Sequence, residues 1–167
     1  DYYGAIADYT KAIEIDPNYA SAYFNRGNAK RNLKDYYGAI ADYTKAIELD
    51  PNNATVYSNR GGSKYDLKDY YGAIEDHDKA IELDPNNAAA YYNRGGSKMK
   101  LEDYYGAIED YDKAIELDPN NTNAYYNRGS SKSELKDNYG AIADYTKAIE
   151  LDPNYTNAYA NRGVSKH

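Results

Sequence analysis

At 167 residues the chain is long enough for one ordinary domain, but it holds one Phe, one Met and no Trp, so its apolar fraction is largely Ala and Tyr. Such a composition suits helices that pack through small residues and amphipathic rings. A net charge of −7 with a pI near 4.8 argues against nucleic acid and anionic membranes as partners, and the absence of Cys excludes disulfides, thiolate metal sites and cysteine catalysis.

The first segment, Asp-Tyr-Tyr-Gly-Ala-Ile from Asp1, returns at Asp35, Asp69 and Asp103, and as Asp-Asn-Tyr-Gly-Ala-Ile at Asp137. The period is 34 without insertion or deletion, and Pro17, Pro51, Pro85, Pro119 and Pro153 share one column. The spacing predicts a helix from Asp1 to about Ile15. In the unit from Asp35, the residues Tyr36, Ala39, Ile40, Tyr43, Ala46 and Ile47 form one apolar helical stripe, with Asp35 as N-cap. Pro51 ends that helix by pushing Asp50 out of the helical region. Asn52 and Asn53 then make a turn and can cap a further helix from Ala54 to Leu67, which closes at Lys68. Neither helix is long enough to be stable alone, so the units must stack into an all-α solenoid.

These columns resemble the tetratricopeptide repeat. Its frame is met by Tyr23, Gly27, Ala39, Tyr43 and Pro51, and again by Tyr57, Gly61, Ala73, His77 and Pro85. The resemblance covers the whole chain. It implies a right-handed superhelical solenoid of antiparallel helix pairs, and a scaffold that holds peptides or partner proteins in a groove. The frame divides the chain into a half-unit 1–19, helix pairs 20–53, 54–87, 88–121 and 122–155, and a terminal half-unit 156–167. Two columns depart from the family pattern: Arg26, Arg60, Arg94, Arg128 and Arg162, and Lys30, Lys64, Lys98, Lys132 and Lys166. Both face the packing side, where charges need partners. The column Asp8, Asp42, Asp76, Asp110 and Asp144 predicts an Arg–Asp ladder, for example Arg60 with Asp42 or Asp76.

Comparison of the copies locates a candidate binding stripe on the first helix of each pair. The columns that change begin with Ser21, Thr55, Ala89, Asn123 and Asn157, and continue with Phe24, Ser58, Tyr92, Tyr126 and Ala160. Next come Asn28, Gly62, Gly96, Ser130 and Val164, then Arg31, Tyr65, Met99, Ser133 and His167, and beside them Asn32, Asp66, Lys100 and Glu134. Their spacing puts them on an arc of about 120°, opposite the packing face. The unvarying Asn25, Asn59, Asn93, Asn127 and Asn161 lie in the same arc, where a side-chain amide suits either an extended peptide backbone or a bond to a neighbouring helix. The expected site is therefore Phe24, Asn25, Asn28, Arg31, Ser58, Asn59, Tyr65 and Asp66, continued by Tyr92, Asn93, Met99, Lys100, Tyr126, Asn127 and Glu134. Some family members clamp a peptide carboxylate with such Asn residues plus nearby Lys and Arg. The Ser21 and Asn28 columns lack a basic residue, so strong binding of chaperone-type acidic tails is not expected.

On the second helix Tyr3, Tyr37, Tyr71, Tyr105 and Tyr139 lie towards solvent and are expected to lean on the adjacent unit. Gly38 and its equivalents are expected where another helix approaches closely. His77 fills a Tyr slot and reads as a packed ring; His167 ends the chain. The sequons at Asn53, Asn120 and Asn154 read as turn residues, since no export signal is seen. Gly-Gly-Ser-Lys at Gly61–Lys64 and Gly95–Lys98 lacks the upstream Gly of a phosphate loop. No nucleophile, base and orienter can be assembled. The expectation is a non-enzyme without cofactor or metal, soluble and cytoplasmic, that binds a protein or peptide and neither nucleic acid nor membrane. The competing expectation is a structural, self-assembling or engineered array that stacks head-to-tail through open terminal helices.

Overall fold

The computed structural model describes residues 1–166, and His167 lies outside the described residues. Among the described residues there are ten α-helices and no strand. The first compact unit, Asp1–Pro85, contains α1 (Tyr2–Ile15), α2 (Ala20–Asn32), α3 (Tyr36–Leu49), α4 (Ala54–Asp66) and α5 (Tyr70–Leu83). The second, from Asn86 onward, contains α6 (Ala88–Lys100), α7 (Tyr104–Leu117), α8 (Thr122–Glu134), α9 (Asn138–Leu151) and α10 (Thr156–Val164). Within each unit, helices adjacent in sequence pack on each other.

The carboxylates of Asp35, Asp69, Asp103 and Asp137 accept the N–H of Gly38, Gly72, Gly106 and Gly140, starting α3, α5, α7 and α9. This contact corrects the reading of that glycine column. A Cβ on Gly38 would fall on the Asp35 carboxylate, so the local cap excludes a side chain, rather than a neighbouring helix. Each of these helices ends at an Asp before Pro that lies outside the helical region, as at Asp50 with φ −137° and ψ 89°. Asn87 and Asn121 cap α6 and α8 through their side chains, whereas Asn53 stands at the N-cap of α4 without a side-chain bond. At the other end of α2, Lys34 adopts φ 63°, and Lys30 C=O accepts the Asp35 N–H at 2.9 Å. This is a left-handed helix stop made without glycine, repeated at Lys68, Glu102 and Lys136.

The cores are small. Ala39, Tyr43, Ala46 and Val56 form one in the first unit; Ala141, Tyr145, Ala148, Ile149 and Ala158 form one in the second. Gly27 lies under the Tyr43 ring so closely that a Cβ would sit 2.7 Å from a ring carbon. His77 is fully buried in the equivalent slot, as its column predicts.

The expected ladder is present, and it runs forward in sequence: Arg60 takes Asp76, not Asp42. Arg26 Nε and Nη2 meet Asp42 at 2.9 and 2.7 Å, and Lys30 meets the same carboxylate at 2.7 Å. Lys64, Lys98 and Lys132 join Asp76, Asp110 and Asp144 in the same way at 2.8–2.9 Å. Each Asp is almost fully buried between two cations, while Asp8 is exposed and has none. The third edge of the guanidinium reaches back to the preceding second helix, at Thr10 for Arg26 and Thr44 for Arg60. Each Arg also stacks over the Tyr three residues before it, with centroid distances of 5.4–5.6 Å. Burial opposes the charge of Arg128, but Asp144 and Asp112 leave its pKa above the usual guanidinium value.

The outer tyrosines do not lean on their neighbours. Tyr3, Tyr37, Tyr71, Tyr105 and Tyr139 are 72–90% exposed, because residue two of each helix points away from the packing stripe begun by the preceding Tyr or Asn.

Candidate functional site

In the first unit the stripe runs along α2 and α4. Asn28 Oδ1 accepts both the Tyr43 hydroxyl at 2.8 Å and Asn59 Nδ2 at 2.9 Å. The Arg31 side chain crosses Gly62, where a Cβ would come within 2.9 Å of Nη2, and reaches Asp66 at 3.4 Å. Asn28, Arg31, Asn59 and Asp66 line one open polar cavity of about 620 Å³, together with Asn32, Lys34 and Tyr36. Phe24 instead sits at a crevice of about 40 Å³ with Ser21, Asn53 and Val56, its ring 6.1 Å from that of Tyr43. Tyr65 turns edge-on to Tyr70 at 5.3 Å. Asn25 and Ser58 are half-buried. Burial pushes the Tyr43 hydroxyl up to about 12, against a downward pull from the Arg31 charge.

In the second unit, α6 and α8 carry the equivalent stripe. Asn127 Nδ2 donates to the Tyr92 hydroxyl at 3.1 Å, and Asn161 Nδ2 to that of Tyr126 at 3.0 Å. Tyr92 packs on Tyr111 and Tyr126 on Tyr145, with centroids 5.9 and 5.7 Å apart. Burial raises the pKa of Tyr92, and the Asn127 bond opposes the rise. Met99 Sδ lies 4.0 Å from the Tyr111 hydroxyl. Glu134 lines a cavity of about 210 Å³ with Ser130, Ser133, Tyr145, Asn161 and Val164. Lys100 is exposed and stands outside it.

The stripe is thus less free of packing than drifting columns suggest: Phe24, Tyr92 and Tyr126 lean on the core ring of the following helix. The asparagine column divides. Asn59, Asn127 and Asn161 bond to the preceding first helix of their unit, whereas the side chains of Asn25 and Asn93 make no hydrogen bond among the described residues. Lys34 and Tyr36 were missed as cavity residues. Lys34 lies beyond the end of α2, where a helical-wheel argument does not reach, and Tyr36 opens α3, where the wheel assigns it to the packing stripe.

A tetratricopeptide repeat profile matches residues 20–53, 88–121 and 122–155, and a second TPR repeat profile matches 1–34 and 61–101. No curated protein matches the chain. Among solved structures, the crystal structure of MamA is 27% identical with a TM-score of 0.88, covering 92% of this chain and 90% of that one. YrrB, described as a TPR protein with an unusual peptide-binding site, is 30% identical with a TM-score of 0.82, covering 94% and 81%. The first TPR of Spaghetti (RPAP3), bound to the HSP90 peptide SRMEEVD, is 30% identical with a TM-score of 0.69, covering 70% and 92%. These likenesses place the fold in the all-α helical-repeat solenoid class.

Proposed function

The chain belongs to the tetratricopeptide repeat family, and on that premise we propose that it is a non-catalytic scaffold which holds a peptide or partner protein along the stripe of its first helices. The observation that carries this reading is the polar cavity of the first unit. There two cations, a carboxylate and three side-chain amides converge on space large enough for a side chain or chain end. Support also comes from the likeness to YrrB and Spaghetti, whose descriptions name peptide binding. Phe24, Tyr92, Met99 and Tyr126 add rings and a thioether, and the amides of Asn25 and Asn93 add donors and acceptors for a backbone. A single peptide held this way binds with roughly micromolar affinity.

The negative net charge supports the same reading, with neither nucleic acid nor anionic membrane as partner. No helix among the described residues is long and apolar enough to cross a membrane. The test is a peptide array followed by calorimetric titration of the captured sequences. Arg31→Ala or Asp66→Ala is expected to weaken a peptide seated in the first unit about tenfold, and Tyr92→Ala one seated in the second. Lys45→Ala, on the outer surface, is expected to change nothing. An array that captures no peptide, or capture indifferent to all three stripe variants, overturns the reading.

A further inference from the structure

Four joints of one construction recur within the two units, α2 with α3, α4 with α5, α6 with α7 and α8 with α9. In each, a ring on the second helix of the pair covers a glycine on the first: Tyr43 on Gly27, His77 on Gly61, Tyr111 on Gly95 and Tyr145 on Gly129. Three of these rings are phenols, which stay neutral in mild acid. The fourth is an imidazole, which ordinarily takes a proton at about pH 6.5.

His77 has no solvent exposure. A Cβ on Gly61 would lie 2.9 Å from its Cε1, 3.0 Å from its Nε2 and 3.2 Å from the Ala73 carbonyl oxygen, so the ring edge rests directly on the backbone of α4. From α4, Arg60 and Lys64 both bear on Asp76, the residue before His77, and that cluster holds two positive charges and one negative. On α3, the neutral Thr44 hydroxyl takes Arg60, while Asp42 is occupied by Arg26 and Lys30. From α2, Arg31 crosses Gly62, the residue after Gly61, and meets Asp66, a pair without net charge. Asp78, the residue after His77, is exposed. A proton on His77 therefore adds a buried cation beside a cluster that is already net positive, where burial and neighbouring charge both oppose it.

We propose that His77 makes the α4–α5 joint a proton-sensitive clasp, closed by the neutral imidazole and loosened when the ring is protonated. The unfolded or opened chain takes the proton below about pH 6.5 and the closed joint resists it. Stability is therefore complete above that value and is lost as pH falls below it. Helix α4 carries Asn59 and Asp66, which shape the first-unit cavity, and Asn59 is bonded to Asn28 of α2. Opening of the joint thus reaches the cavity. As control of a peptide seat this rests on the function proposed above; as a property of the joint it does not, and it is tested without a peptide.

Native-state hydrogen exchange of the 167-residue chain between pH 7.5 and 5.0 makes the test. Gly61–Lys64 and Gly95–Lys98 have the same sequence after the same Arg, so their intrinsic exchange rates cancel, but His77 covers the first and Tyr111 the second. Across that range the protection of Gly61–Lys64 is expected to fall at least about tenfold relative to Gly95–Lys98. His77→Tyr is expected to fold, since Tyr111 fills the same slot with Gly96 in the column of Gly62, and to abolish the difference. A second measurement does not need that variant. In His167→Ala, His77 is the remaining imidazole, and its carbon-13 Cε1 resonance is expected to report a neutral ring at pH 6.5 in the folded chain. Equal loss in the two segments, a loss that persists in His77→Tyr, or a His77 ring half-protonated near pH 6.5 in the folded chain overturns the proposal.

Discussion

Arg60 and Asp76 meet side-on through two parallel hydrogen bonds, Nε at 2.9 Å and Nη2 at 2.6 Å, with the carboxylate almost wholly out of solvent. Lys64 approaches the same carboxylate at 2.9 Å, so one buried anion ties down two cations of the preceding helix. The carboxylate is the member on which the cluster depends, since its removal leaves both cations partly desolvated and without their shared partner.

Asp76→Ala is therefore expected to lower the stability of the chain by about 3 kcal/mol or more. The triple change Arg60→Met, Lys64→Met and Asp76→Leu, which removes all three charges and fills the volume with apolar atoms, is expected to cost much less than Asp76→Ala. Chemical denaturation of the three proteins, followed by helical circular dichroism, makes the comparison.

Lys68 carries a positive φ of 66° at the end of α4, a conformation that disfavours a Cβ. Lys68→Gly is expected to stabilise the chain by about 0.5–1 kcal/mol, because glycine adopts this helix stop without the steric penalty. Replacement by a β-branched Val at the same place is expected to destabilise it. A rise and a fall in thermal midpoint would check the pair.

Columns that serve packing were legible in the sequence because every copy faces the same neighbour at the same distance: Gly27 under Tyr43, Arg26 on Asp42, His77 in a tyrosine slot. Two readings failed for a common reason. An unvarying Gly38 and an unvarying Tyr37 both suggested a neighbouring helix, yet Gly38 answers to the Asp35 carboxylate three residues away and Tyr37 faces solvent. A column that never changes does not reveal whether its constraint is local or long-range. The stripe has the opposite ambiguity. Tyr92 and Ser58 share one drifting column, although Tyr92 leans on a buried ring. Drift therefore marks tolerance of size there as much as exposure.

The close approach of Gly27 to Tyr43 gives a directional test. Gly27→Ala places a methyl group 2.7 Å from the ring in a packed joint, and is expected to cost about 1–2 kcal/mol despite the better helix propensity of alanine. Gly163→Ala, at the equivalent place in α10 where nothing lies within 4 Å, is expected to be neutral or slightly stabilising in dilute, monomeric solution. Thermal unfolding of both variants separates a packing requirement from a propensity effect.

Alkaline titration tests the buried hydroxyl of Tyr43. Its ring is fully buried and its hydroxyl donates to Asn28, so the neutral form is favoured in the folded chain and its pKa stands at about 12, against an ordinary value of 10.0. With the folded value raised, the stabilising contribution is complete below pH 10, and it is lost as pH rises through about 12. Tyr37, which is 77% exposed, lacks that burial. Carbon-13 label at the tyrosine Cζ reports each ionisation, and the resonance absent from Tyr43→Phe identifies the group. The expected result is a late titration for Tyr43 that moves further up when Arg31→Ala removes the positive charge favouring the phenolate. A Tyr43 resonance that titrates near pH 10 in the folded chain would contradict the buried Tyr43–Asn28 geometry on which the first-unit cavity is built.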